Sequence, residues 1–119
     1  MLNEAQYYPI EFDASGNVFS IVNNGTAPAP CIITVIPKVD FLKLVIEGLT
    51  ETPITFTGLK TNEALVIDGE ERSITVDGID AFANFDGWEF PKLQPGINKV
   101  RIENGTSASI SIEYSANYI

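Results

Sequence analysis

The chain has 119 residues, 16 of them acidic and 7 basic, for a formal net charge of −9, and 45% are hydrophobic. That is enough chain for one sizeable core, too short for two ordinary domains, and too apolar for a disordered segment. The negative balance opposes nucleic-acid phosphates, whose binding depends on Lys and Arg displacing counterions, and it opposes anionic membrane surfaces.

Met1 to Glu11 lacks a basic stretch followed by an apolar block, so it does not read as a secretory signal. Met1–Gln6 is expected to be a frayed tail on a single domain spanning 1–119. Ser15-Gly16-Asn17 and Asn24-Gly25-Thr26 are turn signals. Ala27-Pro28-Ala29-Pro30 is stiff and extended, which suits a crossing between sheets. Cys31 to Ile36 is an apolar run expected to be a central strand, and it is far too short to span a bilayer.

From there the pattern has a period of two. Leu42, Leu44 and Ile46 alternate with Lys43, Val45 and Glu47, and Ile54 and Phe56 alternate with Thr55 and Thr57. Leu65-Val66-Ile67 is a second run expected to be central, and Asp68-Gly69 is expected to turn it back on the next strand. Ile74 and Val76 alternate with Ser73, Thr75 and Asp77, and Asp77-Gly78 ends the segment. Ala81 to Phe85 is expected to form at most one helical turn. Past Pro95-Gly96, Val100 and Ile102 alternate with Lys99, Arg101 and Glu103, and past Asn104-Gly105, Ile110, Ile112 and Tyr114 alternate with Ser109, Ser111 and Glu113. Each alternation puts a dry and a wet face on one strand. Eight or nine such strands, with no helical stripe, need two packed sheets or one closed sheet: an all-β, two-sheet antiparallel β-sandwich.

The residues that could carry chemistry are few. There is no histidine, so Ser-His-Asp and Cys-His machinery is excluded. Cys31, the one cysteine, cannot form an intrachain disulfide or a thiolate cluster, and it is expected to be a buried, inert thiol in a chain that folds in a reducing cytoplasm. Glycines are scattered singly, with no phosphate loop. Glu63, Asp68, Glu70, Glu71, Asp77, Asp80, Asp86 and Glu89 fall in one stretch. They read either as a divalent-cation site or a glycosidase pair, or as solvated faces and turn caps, and the second is preferred because no cation-loop spacing is present. Tyr7, Tyr8, Phe12, Phe41, Phe82, Phe85, Trp88, Phe90 and Tyr118 could stack on sugars if they faced solvent; core packing is preferred for Phe82, Phe85, Trp88 and Phe90. Catalytic, cofactor-binding and metal-ligating residues are therefore expected to be none, and no cofactor is implied.

Four ordered segments resemble the C-terminal domain of siphophage distal tail proteins. They are Asn23-Asn24-Gly25-Thr26-Ala27-Pro28-Ala29-Pro30 with the strand after it; Leu65-Val66-Ile67-Asp68 followed by Arg72-Ser73-Ile74-Thr75-Val76-Asp77-Gly78; Trp88 with Leu93-Gln94-Pro95-Gly96-Ile97-Asn98-Lys99-Val100; and Ser111-Ile112-Glu113-Tyr114. The resemblance covers roughly Phe19 to Tyr114. It implies a galectin-like jelly roll, with Trp88 plugging one end of the core. It implies a non-enzymatic virion structural domain at a phage or prophage tail tip, assembled in the bacterial cytoplasm, that scaffolds or docks the host-recognition apparatus.

The partners so implied are other phage tail proteins: tail tube, tail-tip or receptor-binding components. No nucleic acid and no membrane insertion is expected. In this family a separate N-terminal domain forms the ring. The resemblance does not extend to that domain here, so the chain is expected to be either a fragment of a longer protein or a stand-alone relative; a full-length parent is expected to be a ring homo-oligomer and this chain a monomer or weak oligomer. The alternative function is a carbohydrate-binding module contacting host cell-wall glycans. The galectin sugar signature, which relies on histidine and arginine, is not matched.

Overall fold

The structure, a computed structural model, describes residues 5–87 and 89–117. Twelve strands are present among them: β1 (Ala5–Pro9), β2 (Val18–Asn23), β3 (Ala29–Pro37), β4 (Phe41–Glu47), β5 (Ile54–Leu59), β6 (Leu65–Asp68), β7 (Ser73–Val76), β8 (Ile79–Asp80), β9 (Phe85–Asp86), β10 (Lys92–Leu93), β11 (Gly96–Ile102) and β12 (Ala108–Ser115). One sheet runs β1-β12-β3-β6-β7-β8, with β10 also on β3, and the other runs β2-β11-β4-β5-β9. The pairings are antiparallel. From β1 to β4, and again from β8 to β12, successive strands alternate between the sheets, as in a jelly-roll sandwich.

The alternating residues account for the layers. Cys31, Ile33 and Val35 on β3, Leu65 and Ile67 on β6, and Ile110 and Ile112 on β12 are buried on the inner face of one sheet. Phe19, Ile21, Leu44, Ile46, Ile54, Phe56, Val100 and Ile102 close on them from the other. The shortest dimension, 23 Å, fits two sheets about 10 Å apart with side chains on both outer faces. The expected central strands are central: β3 lies between β12 and β6, and β6 between β3 and β7. Their outer faces are only partly dry. Ile32 and Val66 are half-buried and Ile36 is exposed, because their shielding comes from cross-strand neighbours such as Glu113 and Thr75.

Leu42 departs from the sequence pattern: it is 84% exposed, while Phe41 and Leu44 are buried. Opposite it, Gly58 has φ +75. A glycine there inverts the local direction of the backbone, so the in-out alternation slips by one position and Phe41 takes the inner place. Two of the three Asp-Gly pairs, Asp77-Gly78 and Asp68-Gly69, also differ. Asp77 and Gly78 both have positive φ between the paired residues Val76 and Ile79, the geometry of a two-residue type I′ hairpin. Asp68-Gly69 is not such a turn. The Gly69 N–H bonds to the Cys31 carbonyl, and the reversal occupies 69–72, with Arg72 at φ 56 and the Asp68 carboxylate accepting from the Glu70 and Glu71 N–H groups.

Phe82–Asn84 is a single 3₁₀ turn, as expected for 81–85. Of the segment expected to fray, Ala5 and Gln6 pair with Ser115 and Tyr114 in β1; residues 1–4 lie outside the described residues. Two substitutions separate the inner and outer leucines of β4. Leu44→Ala is expected to cost about 3 kcal/mol and Leu42→Ser less than about 0.5 kcal/mol, measured by urea unfolding of the two variants side by side.

Candidate functional site

Three polar side chains sit inside an otherwise apolar end of the sandwich. Asn23, the last residue of β2, points inward and is 2% exposed. Its Nδ2 donates to the carbonyls of Ala27 (3.2 Å) and Leu93 (3.0 Å), and its Oδ1 accepts from the Gly25 N–H (2.9 Å). Leu93 belongs to β10 in the opposite sheet, so one carboxamide joins the two layers and sets the turn that leads into β3. Gly25 is needed at this turn because a Cβ there would lie 2.4 Å from the Asn117 carbonyl oxygen.

Asn98 on β11 is 7% exposed. Its Oδ1 accepts from the Gln94 N–H at 2.9 Å, and its Nδ2 donates to the carbonyls of Gln94 (2.8 Å) and Gly96 (3.2 Å). The side chain thereby holds the 94–98 turn closed, with Gly96 at φ +90 as a type II turn after Pro95 requires. Tyr114 on β12 is buried; its hydroxyl donates to the Val22 carbonyl at 2.8 Å and accepts from the Asn24 N–H at 3.4 Å. Among the described residues no buried side-chain polar atom lacks a partner. These groups hold structure, with no nucleophile and no acid–base pair among them.

Beside this end lies a groove of about 390 Å³ between β1 and β2, lined by Tyr8, Pro9, Ile10 and Glu11 on one wall and by Phe19, Ser20, Ile21, Val22 and Asn24 on the other. It offers apolar surface, one carboxylate and strand backbone.

The sequence candidates are dispersed. Asp77 accepts from the Ala64 N–H, Glu63 from the Lys60 N–H and Glu89 from the Glu51 N–H. With Asp68 these carboxylates cap separate turns, and among the described residues no three metal-ligating side chains come together. Outside that stretch, hydrogen bonds from Thr61 hold the Asp40 carboxyl below its ordinary range, and the Ser15 hydroxyl does the same for Asp13. Most of the described aromatic rings fall into three groups. Tyr8 stacks on Tyr114, Phe12 meets Phe19 edge-on, and Phe85 stacks on Phe90 with Phe82 tilted against both. Phe41 is buried, and Tyr7 stands alone on an outer face. Trp88, with its expected plugging role, and Tyr118 lie outside the described residues.

Residues 24–118 match the model of the siphovirus-type tail component, C-terminal domain. The chain belongs to this family. The tail component domain also resembles the solved structure of the SPP1 Dit protein (gp 19.1), described as a paradigm of the hub adsorption apparatus in phages infecting Gram-positive hosts. The TM-score is 0.73 at 10% sequence identity, covering 95% of this chain and 46% of that one. The chain thus spans about half the length of that protein. No curated protein matches it. The three polar ties fall on the segments that carried the resemblance: Asn23 and Gly25 in the first, Asn98 in the third, Tyr114 in the last. Spacing alone did not reveal that these residues share one end of the sandwich, since Asn23 and Asn98 are 75 positions apart in the numbering and lie near each other only once β11 pairs with β2.

Removing the Asn23 carboxamide leaves the Leu93 carbonyl and the Gly25 N–H buried without it. Asn23→Ala is therefore expected to destabilise the tail component domain by roughly 3 kcal/mol, seen as a lower urea midpoint at unchanged slope. Burial pushes the Cys31 thiol up to about 12, so little thiolate forms in the folded state. At pH 8 iodoacetamide should leave Cys31 unmodified in native protein and alkylate it fully in denaturant, with mass spectrometry as the readout.

Proposed function

We propose that this domain is a structural part of a distal tail protein at the tip of a siphophage or prophage tail, where it scaffolds or docks the host-recognition apparatus. The observation that carries this reading is the family match over 24–118, on a chain whose internal polar groups are consumed in holding its own turns and sheets together. Its partners are other tail proteins: the tube, the remaining tail-tip components or the receptor-binding components. It acts by presenting a rigid surface rather than by turning over a substrate. It assembles in the host cytoplasm, and taken alone it is a monomer or weak oligomer, with ring formation belonging to another part of the parent protein.

Less supports a module for host cell-wall glycans. Sugar stacking needs flat rings side by side in solvent, and the half-exposed Phe82 has neighbours that pack on the core while Tyr7 lies on a different sheet face. The test is immunogold electron microscopy of virions carrying the chain, paired with sedimentation of the isolated domain. Label confined to the tail tip and a monomeric sedimentation coefficient are expected. Label on heads or along the tube, or a defined hexamer of the isolated domain, would contradict the proposal.

A further inference from the structure

The four sheet edges are unequal. β8 and β9 are two residues long, too short to offer an extended free edge to an incoming strand. β1 ends in Pro9, which has no N–H to offer. β2 has six residues, Val18–Asn23, with no proline and no charge among them. These are the devices by which natural edges are kept from pairing, and β2 lacks them.

The hydrogen bonds fix which backbone groups of β2 point outward. The Ile102 N–H bonds to the Asn17 carbonyl, which sets the ladder phase, so Phe19, Ile21 and Asn23 bond to β11 in the same register. Val18, Ser20 and Val22 therefore turn away from the sheet. In agreement, the Val18 carbonyl accepts from the Asp13 N–H and the Val22 carbonyl from the Tyr114 hydroxyl. Both backbone groups of Ser20 and the N–H of Val22 are left without a protein partner among the described residues. They border the 390 Å³ groove, whose far wall is Tyr8 to Glu11. On the outer side, Val22 is 45% exposed and its cross-strand partner Ile97 is 72% exposed.

We propose that β2 is a strand-addition site, taking an extended segment of another tail polypeptide that pairs antiparallel with it around Ser20. The inference rests on the tail-tip reading and names the docking edge. Main-chain pairing of this kind gives affinity, and alternate side chains give selectivity. One set of the incoming side chains enters the groove beside Tyr8, Ile10 and Glu11; the other lies against Val22 and Ile97. The occupant is therefore apolar at alternate positions, with a Lys or Arg placed beside Glu11. A second copy of this chain fits poorly, because each copy carries a net charge of −9 and edge-to-edge pairing would add like charges.

The test uses the full chain, a peptide array tiled across the other tail proteins of the same virion, and Ser20→Pro. Proline is tolerated where an edge N–H faces solvent, so this variant should keep the fold while blocking an incoming strand. Val22→Lys is the second edge variant, and Leu42→Ser on β4 is the control. Thermal melts establish folding, and incorporation of each variant into tails is scored by immunoblot in a phage lacking its own copy. Wild type and Leu42→Ser are expected to retain a basic, alternating peptide that both edge variants bind at least roughly tenfold more weakly, Ser20→Pro because it removes a backbone N–H donor and Val22→Lys because it sets a like charge against the peptide in place of an apolar contact. Equal binding by the edge variants, or no peptide retained by a wild-type chain that still enters tails, overturns the edge site and leaves the tail role standing. A wild-type dimer abolished by Ser20→Pro would put a second copy there and also overturn it. A wild-type chain absent from tails defeats the tail role, and the edge site with it.

Discussion

The sandwich depends on joining two sheets at an end where both must stop. A β-sandwich gains its stability from apolar faces that carry no direction, and grease alone does not say where a strand should cross from one layer to the other. Here Asn23, Asn98 and Tyr114 supply the direction. Asn23 reaches from β2 to β10, Tyr114 from β12 to β2, and Asn98 closes the turn between β10 and β11. Each is buried, so each bond is made in a medium where leaving it unmade costs about 1–3 kcal/mol. That penalty makes any other crossing unfavourable, and it leaves these side chains nothing to offer a substrate.

The same economy extends to the surface. Carboxylates that could have formed a cation site sit instead at turns, accepting from backbone N–H groups that the sheets leave over. Among the described residues, the rings that could have made a sugar platform pack on one another or on the core, Tyr7 excepted. At the β2 edge, the outward backbone groups of Ser20 and the Val22 N–H are left beside a groove without a protein partner among the described residues. This arrangement is the basis of the strand-addition site proposed for β2. The chain's membership of the siphovirus-type tail component family is consistent with that proposal.

Much of the fold was legible in the residues. Period-two alternation in 54–57, 73–77, 99–103 and 109–114 placed strands and faces correctly, because a strand's side chains have no choice but to alternate. The two doubly apolar runs marked β3 and β6 as inner strands. Asp77-Gly78 specified its hairpin, since both positions need positive φ and these two residue types tolerate it. Leu42 and Asp68-Gly69 were misread for one reason: each depends on what lies across from it. Gly58 on the neighbouring strand turns Leu42 outward, and the Cys31 carbonyl holds Gly69 in the ladder.

By itself, the sequence determined the class: one acidic, histidine-free chain of short alternating strands that must bury one face of each, in an order resembling one tail-protein domain. Only the tertiary structure decided which polar residues are internal ties, which carboxylates are caps and which edge is open. Alternation is a local property, fixed by neighbours in sequence. The partners of a carboxamide, a carboxylate or an edge N–H are set by strands 70 or more positions away in the cases of Asn23 with Leu93 and Tyr114 with Val22, and no local pattern contains that distance.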